Sequence, residues 1–457
     1  LAAQGARVRV SDVRSAAELA GAMAGLAPLG VELIAGPQTA ALLAGVDAVV
    51  ASPGVPQDIP LLQAARARGL PITTETRLFA ERCPARLVGV TGSSGKTTTS
   101  TLTARILAAM GLRVWLGGNI GAPLLGELAQ MTPEHRVVME LSSFQLLYWA
   151  GVSPEQAAVL NITPNHLDRH PSMAHYAAAK ANILAAQGAT DVAVLGRDDP
   201  ITAAWAQKAE VQIEADAGQD ALAFPLAGSI LTFGLTGQPT ADGSWIDAEG
   251  HLWLRWQGAT QPILPAAAIQ LRGRHNLSNV LAAICLAAAA GPPELEPAAM
   301  AAAIRNFNGV AHRLEVVRQG GGVLWINDSI ATSPERAVAA MRSFDAPLIL
   351  LAGGRDKHLP WQQWAAVVHQ QVKHVITFGE AAGLIAAALT PRPTGSRLQE
   401  LLPAPDLAGA VALAAELARP GDVVLLSPGG ASYDAYLDFA ARGQHFCELV
   451  HALPPPS

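Results

Sequence analysis

Short apolar runs alternate with longer alanine- and leucine-rich stretches along the whole chain. Runs such as Leu87–Thr91, Val137–Leu141 and Leu348–Ala352 carry almost no polar positions, as strands covered on both faces do. Their alternation with helical stretches predicts an α/β fold with parallel sheets and crossover helices. Three blocks separate, residues 1–84, 85–309 and 310–457. The first holds strands at Arg7–Ser11 and Ala48–Ser52. The second adds Ala157–Thr163 and Asp191–Leu195 to its first two strands, and the third runs through Val323–Asn327, Leu348–Ala352, His374–Phe378 and Val423–Ser427. Between Ile230 and Gln261 short strands rich in glycine and tryptophan predict a small antiparallel addition. A helix over Asn276–Ala290, stopped by Gly291-Pro-Pro293, closes the second block.

Composition narrows the function classes. The chain has 457 residues and 50% hydrophobic content, which at roughly 150 residues per domain predicts about three domains with ample cores. Net charge is −6, from 37 acidic and 31 basic residues, and no basic block appears, so neither nucleic acid nor an anionic membrane is expected as a partner. The longest apolar stretches, such as Val280–Ala290, fall short of the ~18 residues of a spanning helix. Cys83, Cys285 and Cys447 lie far apart, which argues against a disulfide framework and fits a reducing cytoplasm. The chain opens on Leu1 without an export-signal pattern. A doubly wound unit begins with a strand, a glycine turn and a helix, so one such segment is expected to be missing from the first block.

The chemistry concentrates after the strand at Leu87–Thr91. Gly92-Ser93-Ser94-Gly95-Lys96-Thr97-Thr98 leads from that strand into a helix, where backbone N–H groups, a helix N-terminus and a lysine surround a polyphosphate. Lys96 would reach the β- and γ-phosphates and Thr97 would hold Mg²⁺. The strict phosphate-loop pattern puts glycine at position 90, which is Val90 here. Glu140 ends the strand beginning at Val137, at the carboxyl edge where open α/β sheets bind ligands, and its carboxylate suits Mg²⁺ as well as water. His166, in Asn161-Ile-Thr-Pro-Asn-His-Leu-Asp-Arg-His170, follows the next strand. Taken alone it reads as a ligand, a cap or a core histidine. Lys180, in the alanine-rich helix Tyr176–Asn182, taken alone reads as a solvated lysine.

Together these motifs resemble the ATP-dependent Mur ligases of peptidoglycan synthesis, over essentially the whole chain. The shared signals are the phosphate loop, Asn-His-Leu-Asp-Arg-His, Gly-Arg-His-Asn-Leu-Ser-Asn and Ala-His-Arg-Leu-Glu. Gly118-Asn119-Ile-Gly121, Glu140-Leu-Ser-Ser-Phe-Gln-Leu146 and Ser427-Pro-Gly-Gly-Ala-Ser-Tyr-Asp434 point to its glutamate-adding branch. The resemblance implies a Rossmann-like N-terminal domain for a uridine nucleotide, a central ATPase sheet and a Rossmann-like C-terminal domain for glutamate. It implies catalytic roles for Lys96, Glu140, His166 and Lys180. It makes Lys180 a carbamylated lysine, reversing the reading of that residue by itself, and it places two Mg²⁺ ions on Thr97 with Glu140 and on His166 with Lys180. Asn276, Asn279, Arg313 and Asp328 would line ATP. Asp12, Arg14, Ser52, Gly54, Asn119 and Ser142 would serve the nucleotide-sugar substrate, and Thr332, Lys357, Ser432, Tyr433 and Phe439 the glutamate. The implied reactants are UDP-N-acetylmuramoyl-L-alanine, D-glutamate and ATP, and a monomer is expected. Two departures stand out. Ile330 occupies a position that is lysine in many members, which shifts the glutamate carboxylate onto Lys357, with Arg355 as the alternative cation and glutamate chirality left open. The expected missing segment also removes the glycine loop that cradles the uridine diphosphate. A sister ligase using another amino acid, and a nucleotide-binding switch, remain as competing readings.

Overall fold

The computed structural model describes residues 1–2, 5–121, 123–167, 169–216, 219–271, 273–356 and 359–454. Lys357 therefore lies outside the described residues. The chain divides into two compact units, residues 1–305 and 306–457.

In the first unit, β1 (Arg9–Asp12) pairs in parallel with β2 (Glu32–Ala35), and β3 (Val49–Val50) in parallel with β4 (Ile72–Thr73). These four strands form two separate two-stranded sheets. Leu43, Leu61 and Ala65 form a small core beside the second pair.

The central sheet follows. Its strands are β5 (Arg86–Thr91), β6 (Val114–Gly118), β7 (Arg136–Glu140), β8 (Gln156–Val159) and β9 (Val192–Gly196). After a separate hairpin, β10 (Glu210–Ile213) with β11 (Leu222–Pro225), come β12 (Ser229–Gly234), β13 (Gly243–Ile246), β14 (His251–Trp256) and β15 (Ala259–Pro265). The spatial order is β15-β14-β13-β12-β9-β8-β5-β7-β6. The sequence predicts an antiparallel addition over Ile230–Gln261, and this needs correction. β12 joins β9 in parallel and β13 joins β12 in parallel, so only the β13–β14 and β14–β15 pairings are antiparallel and β14 is the reversed strand. Leu231 and Phe233 are buried, so β12 behaves as an interior strand, a pattern that periodicity alone does not separate from a hairpin. The helix predicted from Asn276 begins at Arg274 and runs to Ala290. Residues Val280 to Ala287 are all fully buried, as expected of a helix that is apolar on every side. β5 sits where the chain switches from the β6–β7 side to the β8–β9 side, the place where doubly wound sheets open a ligand crevice.

The second unit is one sheet, from β16 (Glu315–Gly320), β17 (Val323–Asn327), β18 (Leu348–Gly353), β19 (Val372–Phe378), β20 (Glu400–Pro403) and β21 (Val423–Gly429). Its order is β16-β17-β21-β18-β19-β20, parallel except for β16. Apolar clusters cover both faces, which is why its strands read as unbroken apolar runs.

Candidate active site

The turn after β5 starts at Gly92, and Val90 is a buried strand residue paired with Glu140. The departure at position 90 thus leaves the turn itself intact. Gly95 precedes the helix Lys96–Ala109 with φ +83°, and a Cβ there would collide with the Asn279 side chain. Glycine is therefore required for both conformation and space, and buried Asn279, from the helix Arg274–Ala290, closes against the loop. The Asn279 amide donates to Asn276 Oδ1 at 3.1 Å. The loop is pinned from the other side by Asn161, whose Oδ1 accepts from Ser94 N at 2.9 Å and whose carbonyl accepts from Ser93 N at 2.9 Å. Tyr176 OH donates to Ser93 Oγ at 3.0 Å. Lys96 folds back to donate to Gly92 O at 2.9 Å, and Thr97 is buried at the start of its helix. Ser93, Ser94 and Thr98 remain partly or fully accessible.

Glu140 closes β7 and is 2% exposed. Oε1 accepts from Asn119 Nδ2 at 2.8 Å, and Asn119 N donates to Glu140 O at 2.8 Å. Gly118 permits this approach, because at φ +92° a Cβ would strike the Glu140 carbonyl. Glu140 Oε2 is buried with no hydrogen-bond partner among the described residues, a costly arrangement for a carboxylate oxygen unless a cation meets it. Ser142 caps the short helix Ser143–Leu146 in a capping box with Gln145.

Lys180 lies on the helix Met173–Ala181 and is 1% exposed, so the solvated reading of this residue by itself is wrong. Its Nζ donates to Gly92 O at 2.9 Å and reaches Thr91 Oγ1 at 3.5 Å, above the Tyr176 ring. Burial, followed by the neighbouring charge of Lys96, depresses its pKa well below that of a free lysine, while Glu140 pulls the other way. A buried amine with a depressed pKa is nucleophilic near neutral pH.

His166 is exposed, with φ +54° and its ring 5.2 Å from Phe144. The histidine drawn inward is His170, 1% exposed, with Nε2 2.9 Å from Ser143 Oγ and Nδ1 2.9 Å from His175 Nδ1. Burial, then the His175 charge, pushes His170 down to about 4, so its ring is neutral at pH 7. Among the described residues no three His, Cys, Asp or Glu side chains group as a metal cluster. Mg²⁺ nevertheless fits Glu140 and Thr97, because this ion takes one or two carboxylates and completes its shell with phosphate oxygens and water.

In the first block, Arg14 forks onto Asp12, with Nη2–Oδ2 at 2.8 Å and Nε–Oδ1 at 3.1 Å. Those hydrogen bonds hold the half-buried Asp12 carboxyl down at about 2. Ser52 and Gly54 are exposed, and Arg169 donates to Gly54 O at 3.3 Å while lying over Phe144.

The second unit gathers its candidates at the carboxyl edge of β17, β18 and β21. Asp328, just after β17, is buried and accepts from Ser427 Oγ at 2.9 Å and Leu314 N at 3.2 Å. Burial pushes its carboxyl up to about 7. Arg313, two residues before β16, is exposed, and Ser432 is buried. Thr332 N donates to Ile330 O at 2.8 Å. Tyr433 is 64% exposed. Phe439 begins the helix Phe439–Ala452, and its ring edge meets His312. Arg355 already forks onto Glu380, at 2.9 and 2.8 Å. Sequence reasoning missed Arg442. It is fully buried, and it joins Ser329 O at 2.9 Å, Ser329 Oγ at 3.0 Å and Gly430 O at 3.2 Å, so it fastens the segment around Ser432 to the end of β17. A lone arginine inside a helical pattern gives no sequence signal of this.

Comparison with known proteins sets this geometry in a family. Three profiles match in chain order: the Mur ligase MurD-like N-terminal domain over residues 1–74, the Mur ligase middle domain over 90–287, and the Mur ligase glutamate ligase domain over 312–430. The UDP-N-acetylmuramoylalanine--D-glutamate ligase of Symbiobacterium thermophilum is 42% identical over 454 residues, covering 99% of this chain and 94% of that one. The chain belongs to the Mur ligase family. A second relative of the same name, from Pelotomaculum thermopropionicum, is 38% identical and covers 99% of the chain and 94% of itself. Solved Mur ligases share the fold: UDP-N-acetylmuramate-alanine ligase from Thermotoga maritima matches with TM-score 0.53 at 18% identity, covering 97% of this chain and 93% of that one. The D-alanyl-D-alanyl-adding ligase from Acinetobacter baumannii matches with TM-score 0.54 at 17% identity, covering 98% and 91%. Within this Mur ligase, no helix among the described residues is long and apolar enough to cross a membrane.

Proposed function

We propose that this Mur ligase joins D-glutamate to UDP-N-acetylmuramoyl-L-alanine in an ATP-dependent reaction that yields ADP and phosphate, acting as a monomer in the cytoplasm. The observation that carries the reading is the meeting, at the carboxyl edges of β5 and β7, of a phosphate-type turn, a buried carboxylate oxygen without a partner and a buried lysine of depressed pKa. The 42% identity to a ligase of that name supports the choice of amino acid.

A carboxylate is a poor acceptor for an amine because its negative charge repels the nucleophile and its oxygen is a poor leaving group. In the first step an alanyl carboxylate oxygen bonds to the γ-phosphorus while the bridging bond to the β-phosphate breaks, giving an acyl phosphate and ADP. The turn at Gly92–Thr98 orients the phosphates through backbone N–H groups, and Lys96 offsets the charge on the transferring oxygens. The lysine must swing from Gly92 O to the phosphate, a small move for a side chain already at the loop. In the second step the deprotonated glutamate amine attacks the carbonyl carbon, phosphate leaves, and the new amide sheds a proton.

Thr97 and Glu140 would hold Mg²⁺, which when bound would supply charge neutralisation at the phosphates. Lys180 is read as a carbamate: its neutral amine would bond to the carbon of CO₂ and release a proton to solvent, so that an anion would stand there and, with His166, would hold a second Mg²⁺. Asn119 orients Glu140 for its ion. Asn276, Asn279, Arg313 and Asp328 serve ATP, while Asp12, Arg14, Ser52, Gly54 and Ser142 serve the nucleotide sugar. Thr332, Lys357, Ser432, Tyr433 and Phe439 serve glutamate, with residues 1–84, 85–309 and 310–457 as the three working domains.

The test is ADP release with UDP-N-acetylmuramoyl-L-alanine and each of D-glutamate, L-glutamate, L-alanine and a diamino acid. ADP release that depends on D-glutamate above the others is expected. Release with another amino acid alone moves the chain to a sister reaction, and release without any amino acid makes it a nucleotide switch.

A further inference from the structure

At the opposite, amino edge of the central sheet, roughly 20 Å down β5 from the phosphate turn at ~3.3 Å per strand residue, lies a cavity of about 590 Å³. Arg86 and Arg136 open β5 and β7 as in-register partners on adjacent parallel strands, so their side chains leave the same face one strand spacing apart. Arg136 is 8% exposed. Its Nε donates to Ala290 O at 2.6 Å and its Nη1 to the carbonyls of Glu134 and His135 at 3.0 and 3.1 Å, which fixes the guanidinium in the cavity wall. Nη2 has no partner among the described residues, and neither does the Arg86 guanidinium. Glu155, whose charge acts on Arg136, accepts from Leu87 N at 2.8 Å. Trp256 and Pro292-Pro293 line the same cavity.

The two neighbouring guanidinium groups repel each other, Glu155 offsets that repulsion at Arg136, and Arg136 is held out of water. An arginine needed only to close the helix end at Ala290 would not need a second beside it. We propose that this cavity binds a small molecule carrying an oxyanion, a phosphate ester or a carboxylate, whose charged head bridges Arg86 and Arg136 and whose flat apolar body lies against Trp256 and the prolines. Paired guanidiniums match such heads in a forked geometry. The volume falls within the range of ligand cavities and exceeds a bare anion. Arg86 and Arg136 stand against one acidic lining residue, Glu134, so the lining keeps a net positive charge.

The experiment is calorimetric titration of the full chain with phenyl phosphate, benzoate and inorganic phosphate, in wild type, Arg86→Ala, Trp256→Ala and Lys96→Ala. Arg86 makes no side-chain hydrogen bond or ion pair among the described residues, so its removal is expected to leave the fold intact, and Lys96→Ala reports any binding at the phosphate turn. Wild type and Lys96→Ala are expected to bind an aromatic anion equally. Arg86→Ala weakens that binding at least tenfold, and Trp256→Ala weakens the aromatic anions while sparing inorganic phosphate. Preference for phenyl phosphate over benzoate assigns the head as phosphate, and the reverse assigns a carboxylate. The inference is overturned if wild type binds neither aromatic anion, if binding vanishes in Lys96→Ala, or if Arg86→Ala or Trp256→Ala matches wild type.

Discussion

The carboxyl edge of β5 and β7 and the surface around Asp12, Arg14, Ser52 and Gly54 belong to the same compact unit, yet they are built in opposite ways. At the first, Gly95 is closed by Asn279, Ser94 by Asn161 and Glu140 by Asn119, while Lys180 is sealed under the turn. At the second, the Asp12 and Arg14 side chains hydrogen-bond only to each other among the described residues, and Ser52 and Gly54 face water. Phosphoryl transfer requires fixed charges in a low-dielectric setting, since electrostatic stabilisation weakens when water reorganises around it. Recognition of a large polar substrate needs only enough donors on an accessible face. The contrast teaches that removing one group at the buried edge should cost rate, and removing one at the exposed surface should cost affinity.

The sharpest break of this contrast is Lys96→Ala. Loss of a charge aimed at the transferring phosphate is expected to lower single-turnover acyl phosphate formation on the order of 10³-fold or more. Near-normal formation would place the chemistry elsewhere. Next comes Lys180→Ala, expected to be largely inactive and partly rescued by acetate or formate, because an anion is what the site then lacks. Full turnover in CO₂-depleted buffer, with mass spectrometry showing an unmodified lysine, would remove the carbamate.

A smaller effect is expected for Lys357→Ala, where loss of a charge-assisted hydrogen bond worth roughly 1.5–3 kcal/mol raises the glutamate KM about 10- to 150-fold and leaves ATP binding alone. Arg355→Ala should change it little, because Glu380 already occupies that guanidinium. A large effect at Arg355 with none at Lys357 would reverse the assignment. Smallest of all, Asp12→Ala should raise the nucleotide-sugar KM only a few-fold with kcat and ATP binding unchanged; a fall in kcat instead would show that the exposed surface takes part in the chemical step.

The sequence made the phosphate turn and the strand before it readable because glycine, lysine and a buried apolar run each have a local cause. Glu140 was found as a strand-end acid, but its burial was not, since that depends on Gly118 and Asn119 arriving from β6. Lys180 misled when read by itself: the stretch Tyr176-Ala-Ala-Ala-Lys180 has no polar face to contrast with an apolar one, so periodicity gives no direction for its side chain. Asn161, Tyr176 and Arg442 act through tertiary contacts, and their spacing carries no mark of it, while the motif that ends at His170 gives no sign of that ring's burial. The run from Ile230 to Gln261 shows the same limit in the fold, because parallel pairing of β12 with β9 is decided by what lies beside it.

The central claim is that the buried edge transfers phosphate to a substrate carboxylate. It is tested most directly by supplying UDP-N-acetylmuramoyl-L-alanine with its alanyl carboxylate labelled with heavy oxygen, together with ATP and D-glutamate, and weighing the phosphate released. One labelled oxygen per phosphate is the expected result, since the acyl phosphate carries that oxygen away when the amine attacks. Unlabelled phosphate formed alongside amide product would contradict the account.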